Sequence, residues 1–487
     1  MRQSAYLLGT ATAFTILSES ECIDGNNTMT DTCCDVLAAA GLKILRPETG
    51  EYFARDTSYF SVSAQLSPYC IVQPTSADQV SLAITTLKTA TTCNWAIRGG
   101  GHMTWAGASD IHEGVTLDLG LMNHTEYVSE DRIAKIGAGC RWRDVYATLE
   151  PYGVTAPGGR TATVGVAGFL TGGGNNFYSS MVGLGCDNVI NFEVVLASVE
   201  IVNANKETNS DLHKALKGGS CNFGVVTRID MQAIETGNLW GGQVVYPLDT
   251  TEQHIAAYIN DLLGVCAGSC GIIVSSALHD TSATVRAPAY DKFLSITPQL
   301  SDTLRIDSHL NMTVELEEPS GYRQIWITLT GKNDARFIRR AVEAQSSFIA
   351  DWQANQDADF LNYITFQAMP TLLFKHSVDK GGNVIGMDRE TENAILFQMQ
   401  HMVRTVEQET EARERLTAMR QSLKLYNLEV GVNVEWEYLG YADGSQDPLS
   451  TYGSENVQFI REVATKYDSE GIFQTRVPGG FKISRVV

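Results

Sequence analysis

The segment Ile97-Arg98-Gly99-Gly100-Gly101-His102 sets three glycines between a β-type run and one histidine. Without Cβ atoms the backbone can turn at positive φ and come close to a ligand. Successive bare N–H groups in such a turn form a concave anion site, suited to a pyrophosphate. Taken alone, the segment equally fits a surface turn carrying a solvated histidine.

Three further stretches change that balance. Gly158-Gly159-Arg160-Thr161-Ala162-Thr163-Val164-Gly165-Val166-Ala167-Gly168 runs on to Thr171-Gly172-Gly173-Gly174. Gly183-Leu184-Gly185-Cys186-Asp187-Asn188-Val189 and Lys217-Gly218-Gly219-Ser220-Cys221-Asn222-Phe223-Gly224 follow. Bulky residues are nearly absent from these turns, so a large object is expected against bare backbone. An extended phosphate-and-ring ligand, held mostly by main-chain donors, fits. Neither GxGxxG nor the GxxxxGK[S/T] phosphate loop occurs, so a dinucleotide would be held by some other fold.

The elements that must position these loops are legible in outline. Cys70–Val72, 95–97, 115–117, 194–196 and 225–226 read as short strands, and Ala77–Ala90 and Trp142–Leu149 as helices, with Ser76 and Asp78 at a plausible helix start. Past residue 235 the texture changes. Stretches 240–245, 271–278, 283–289 and 324–329 look like strands, and 335–352, 392–425 and 456–467 like helices. Glu409 and Arg413, four apart, suggest an exposed helix face. Strands backed by helices give an α+β class. A chain of 487 residues is too long for one core, so two domains are expected.

Hydrophobic residues make up 44% and charged residues 19%, which is globular composition. A net charge of -20 repels phosphate backbones and anionic membrane surfaces, so nucleic acid and membrane are set aside as partners. The ten cysteines form no CxxC pair and show no metal-ligand spacing, which leaves core thiols or disulfides open. Residues 1–20 read as a secretory signal, with Arg2, an apolar run from Ala5 to Leu17, and small residues Ser18 and Ser20. Sequons at Asn26, Asn123 and Asn311 fit a secreted glycoprotein. Beyond that N-terminal run, nothing is apolar for long enough to span a bilayer.

Taken in order, segments 98–108, 158–174, 187–196, 211–227, 438–448 and 466–473 resemble the berberine-bridge-enzyme-like group of the vanillyl-alcohol-oxidase superfamily, in its fungal secondary-metabolism branch. The likeness runs from about residue 33 to the C-terminus. It implies a PCMH-type FAD-binding domain over 21–235, a substrate domain over 236–437 built on an antiparallel sheet backed by helices, and a segment 438–487 returning to the first domain. It also implies FAD bonded covalently through His102. Cofactor positions carried over are Arg98, Gly99, Gly100, Gly101, His102, Gly158, Thr161, Thr163, Val164, Gly165, Gly168, Gly173, Gly174, Asp187, Asn188, Val189, Val194 and Tyr441. Some relatives have a second tether at a cysteine. Thr161 stands there in this chain, so a single tether is expected.

The family's Tyr-x-Asn-Tyr motif reads Tyr438-Leu439-Gly440-Tyr441 here, and the missing asparagine puts ordinary family chemistry in question. Tyr441, with Tyr438 beside it, is the expected catalytic residue: a general base, or a ring that only fixes geometry. A tyrosine acting near neutral pH needs a nearby positive group or a polarised flavin. Glu435 and Glu437 would share one side of a strand, as catalytic carboxylates or a solvated face. Trp105 lines the cofactor entrance or belongs to the core. His112, His124, His213, His254, His279, His309, His376 and His401 read as structural or exposed. The resemblance also implies a disulfide from the Cys33-Cys34 pair to Cys93. Cys266 and Cys270 are close enough to pair locally.

The expected activity is an oxidase that takes hydride from a small natural product onto FAD and passes electrons to dioxygen, giving hydrogen peroxide. A dehydrogenase with another acceptor, a flavin-holding non-oxidative cyclase of Diels–Alder type, and a secreted binding protein on a decayed scaffold are the alternatives.

Overall fold

The computed structural model describes residues 29–260, 266–269, 273–355 and 359–486. The signal stretch 1–20, the first sequon and Cys270 lie outside them.

The first glycine turn grows out of a small α/β unit. Strands Cys70–Val72, Gly114–Asp118 and Asn94–Arg98 run parallel, and Ile44–Leu45 joins the edge antiparallel. Helix Ala77–Ala90 makes the crossover that parallel strands require. Ser76 caps it, its hydroxyl accepting the Gln79 N–H at 3.3 Å. Val80, Ala83, Ile84 and Leu87 recur at helical spacing and form its buried stripe. Helix Met29–Ala39 is pinned alongside by two disulfides. Cys33–Cys93 is the bridge the resemblance implied, and Cys34–Cys70 is one the sequence left open.

A five-stranded antiparallel sheet follows, in the order Thr125–Val128, Ile133–Gly137, Val225–Gln232, Val189–Val195, Ile201–Asn205. The second half of the chain is dominated by a nine-stranded sheet. Its central strands are Leu361–Met369, Ala394–Val403 and Arg323–Lys332, paired antiparallel. The architecture is α+β, as expected.

Period-two alternation gives this large sheet two unlike faces. Ile325, Ile327, Ile364, Phe366, Ile395, Phe397 and Met399 pack in one core with Phe337 and Trp352 of helix Ala335–Asn355 and Leu416 of helix Val406–Glu429. The alternate positions, Trp326, Thr365, Gln367, Gln398 and Gln400, line a cavity shared with the glycine turns. The other core joins residues 33–233 to the C-terminal stretch 434–486, so the chain end packs back on its beginning.

Two expected elements are replaced. Region 392–425 is not one helix. Ala394–Val403 is a strand, and the helix begins after Thr405, which forms a capping box with Gln408. Leu, Met and Gln suit helices, but pairing with Arg323–Lys332 on one side and Leu361–Met369 on the other, with every residue buried, settles the strand. No strand covers 283–289; Ala283 and Arg286 take positive φ, and a 3-10 turn follows at Pro288–Tyr290. Nor does the Glu409–Arg413 pair lie on a solvated face, because it bridges to Arg323 and Asp443.

Candidate active site

The cavity encloses about 880 Å³ between the glycine turns and the polar face of the large sheet. That lies within the ~300–1,000 Å³ usual for cofactor and ligand pockets. Gly99, Gly100, Gly101, Gly159, Gly165 and Gly168 contribute to its wall.

These glycines do two different jobs. A Cβ on Gly100 would stand 2.4 Å from the Gly165 Cα, and one on Gly165 would stand 2.5 Å from the Gly100 Cα. The first and second turns therefore touch backbone to backbone, which only glycine allows. Arg141 clamps the same junction, donating to the carbonyls of Gly100, at 2.6 Å, and of Thr163. A Cβ on Gly168, by contrast, meets nothing within 4 Å. Its backbone is open to whatever fills the cavity. Gly158, Gly173 and Gly174 pack under Trp142, Ile385 and Phe169, and do not reach the wall.

Arg98 is fully buried behind the turn. Its guanidinium donates to the Arg55 carbonyl at 2.7 Å and the Ser58 hydroxyl at 2.8 Å, and lies 3.5 Å over the Tyr59 ring. It braces the loop from outside the cavity. Asp187 is likewise spent within the protein, accepting from the Leu184 N–H at 2.8 Å and the Asn383 amide at 2.9 Å. Asn188 ties to Lys380 at 2.6 Å, and Val189 and Val194 are buried in the five-stranded sheet.

His102 lines the cavity. Its ring stacks on Phe60 with centroids 4.0 Å apart, and Nε2 lies 3.3 Å from the Thr163 hydroxyl. Burial, and then the Arg141 charge, push its pKa down to about 3. The imidazole is therefore neutral, with its lone pair available to form a bond. Thr161 and Val164 are also on the wall, and the Thr161 hydroxyl donates to the Leu316 carbonyl at 3.4 Å.

Tyr441 and Tyr438 meet edge to face, with centroids 4.9 Å apart. The Tyr438 hydroxyl accepts the N–H groups of Gly174 and Asn175, each at 3.1 Å, and burial holds its pKa well above the ordinary phenol value. It anchors the second glycine cluster. Tyr441 has a different setting. Arg160 donates to its oxygen at 3.0 Å, and the Gln367 amide donates at 3.1 Å. A charge developing on that oxygen is stabilised by a fixed cation.

Other expectations for the site are corrected. Glu435 is exposed and paired with Lys424, while Glu437 is buried against Arg420 and accepts from Gln446. The backbone leaves the strand after Val434, so the two carboxylates do not share a face, and neither lines the cavity. Trp105 is off the wall, packed on Phe481 at 5.5 Å. His279, read as structural or exposed, lines the cavity beside Phe177, its pKa pushed down to about 3 by burial and then by Arg160. Arg160 was legible as the sole charge in a glycine–threonine run. Gln367, Gln398, Gln400 and Glu318 gave no such signal, because polar strand residues and an acidic loop look like solvated surface.

Comparison with known proteins agrees with this geometry. Residues 68–205 match the FAD binding domain family. Over 476 residues the chain is 38% identical to the FAD-dependent monooxygenase drtC of Aspergillus calidoustus, covering 93% of this chain and 90% of that protein. It is also 38% identical to the FAD-dependent monooxygenase sdcF of Emericella nidulans, covering 94% and 99%. Among solved structures, glucooligosaccharide oxidase from Acremonium strictum superposes with a TM-score of 0.75 at 17% identity, covering 93% of this chain and 99% of that one. For 6-hydroxy-D-nicotine oxidase from Arthrobacter nicotinovorans the TM-score is 0.72 at 18% identity, covering 89% and 96%. These two likenesses show the fold. With a matching FAD domain and full-length relatives at this identity, the chain belongs to the family of these fungal FAD-dependent monooxygenases, has the fold of the berberine-bridge-enzyme-like oxidases, and is an FAD-dependent oxidoreductase.

Proposed function

We propose that the chain is an oxidase of small natural products that holds its FAD covalently through His102 alone. The observation that carries the reading is a neutral imidazole set in the wall of a cavity whose adjoining surface is bare glycine backbone. In the solved glucooligosaccharide oxidase the flavin is a 6-S-cysteinyl, 8α-N1-histidyl FAD. This chain offers the histidine, and Thr161 where the family's cysteine would stand.

Bound FAD supplies a hydride-accepting ring and reactivity toward dioxygen. The chain's own residues do the rest. Gly168 leaves room for the cofactor against main chain, and the contact between Gly100 and Gly165 holds together the two turns beside it. Tyr441 takes the proton the substrate loses as its hydride departs, and Arg160 stabilises the resulting negative charge on the phenol oxygen. Trp326 packs edge to face on the Tyr441 ring, with centroids 5.8 Å apart, and fixes its orientation. Two electrons and two protons passed to dioxygen give hydrogen peroxide. The two disulfides, and exposed Asn123 and Asn311, support passage through the secretory pathway. Among the described residues, no helix is long and apolar enough to cross a membrane.

Acid precipitation of the purified protein tests the tether. Yellow colour should stay with the pellet, and His102→Ala should release it. Colour released from both proteins would end the covalent reading. Because the relatives are named monooxygenases, peroxide must also be counted. One peroxide per substrate oxidised, with no labelled oxygen entering the product from isotopic dioxygen, is expected of an oxidase.

A further inference from the structure

The cavity lining opposite the glycine turns holds one acidic side chain that neither the fold nor the proposed chemistry uses. Glu318 lies in the loop between helix His309–Glu315 and strand Arg323–Lys332, and it lines the cavity. Its acidic neighbours are accounted for: Glu315 pairs with Arg305, and Glu317 is exposed. The Gln400 amide donates to Glu318 Oε1 at 2.7 Å. Oε2 is buried with no hydrogen-bond partner among the described residues. Two residues from Gln400 on the same strand, Gln398 Nε2 is also buried and unpartnered. Residues two apart on a strand share a face, about 7 Å apart. One wall of the cavity thus holds an acceptor and a donor that both lack partners.

Buried polar groups in native proteins are almost always paired, so such a wall calls for a ligand that brings the partners. Trp326, Tyr363 and Leu316 supply aromatic and apolar surface around it. Burial pushes the Glu318 carboxyl up to about 7, and Arg160, the charged group that acts on it, pulls the other way. With that guanidinium already present, a neutral donor matches Glu318 better than a second cation does.

We propose that Glu318 and Gln398 read a hydroxylated aromatic substrate, its O–H donating to the Glu318 carboxylate and an oxygen further along the molecule accepting from the Gln398 amide. The proposal rests on the reading of this cavity as the substrate site of a flavoenzyme. It makes Glu318 a specificity residue, separate from proton transfer at Tyr441.

Titration calorimetry on the yellow holoenzyme, with 4-propylphenol, its methyl ether 4-propylanisole and the cationic 4-propylbenzylamine, tests it. A colourless protein would mark failure of the flavoenzyme reading itself, before any probe is added. The phenol should bind at least tenfold tighter than the ether at pH 8. That ratio should shrink several-fold as pH falls to 5.5 and the carboxylate is protonated. E318Q should bring it to threefold or less while keeping flavin colour and melting temperature, and Q398L should weaken the phenol less than E318Q does. Equal binding of phenol and ether, a ratio unchanged in E318Q, preference for the amine, or no heat from any probe would overturn the proposal.

Discussion

The guanidinium of Arg160 donates a 3.0 Å hydrogen bond to the phenol oxygen of Tyr441, although 281 residues separate them in sequence. A base role for that tyrosine calls for a nearby positive group or a polarised flavin, and the second glycine cluster provides the former. Tyr441→Phe should therefore lower kcat by about 10²- to 10⁴-fold, the range for loss of a general base, with bound flavin unchanged. Arg160→Met should lower kcat less and move the activating limb of the pH profile upward. Steady-state rates across pH 5.5–10 check both. A Tyr441→Phe enzyme within threefold of wild type would reduce the ring to a geometric role.

The backbone contact between Gly100 and Gly165 separates folding from cofactor binding. Gly165→Ala puts a Cβ 2.5 Å from another backbone, so one turn must shift, at a cost of about 1–3 kcal/mol or more. Lower melting temperature and lost colour are expected together. Gly168→Ala has free space in the protein and should keep the melting temperature while losing flavin occupancy. Differential scanning calorimetry with absorbance at the flavin band distinguishes the two.

Cys34–Cys70 closes a sequence separation of 36 residues. Chain-entropy arguments give such a crosslink about 3–4 kcal/mol of stability. The double variant Cys34→Ala/Cys70→Ala should lose about that much in denaturant unfolding, with Cys33–Cys93 intact. A loss below about 1 kcal/mol would show that helix Met29–Ala39 is held by packing instead.

His309 is buried against Tyr146, its Nδ1 2.9 Å from the Thr155 hydroxyl, and burial pushes its pKa down to about 3. The unfolded chain takes up a proton near pH 6.5, whereas the folded chain resists it down to about pH 3. This group's stabilising effect is complete above pH 6.5 and is lost as pH falls through that window. His309→Phe should be the less stable protein at pH 8, through loss of the Thr155 contact. Its deficit should shrink or reverse by pH 4, by about 3 kcal/mol. Urea midpoints at the two pH values measure it.

How much was legible depended on whether a residue's role is local. The turn at 99–101 and helix Ala77–Ala90 follow from short-range pattern, while His102 and the Tyr438–Tyr441 pair were singled out by the family resemblance, and the structure puts His102 and Tyr441 in the lining of one cavity. Strand Ala394–Val403 was hidden because its residues suit a helix, and only its neighbours on both sides make it a strand. Glu318, Gln398 and Gln400 were hidden for a related reason. A polar strand face reads as solvated until another domain is known to cover it. Arg98, Asp187 and Asn188 carry the opposite lesson, since residues within a binding motif can serve to brace the loop that binds.

The bonds from Gly174 and Asn175 to the Tyr438 hydroxyl span 264 and 263 residues of chain. Closing so long a loop is entropically dearer than forming a neighbouring turn, and contacts of high sequence separation slow folding. The first core is complete only when residues 434–486 have packed against 33–233, so the last stretch of the chain finishes the structure that the first glycine turns begin.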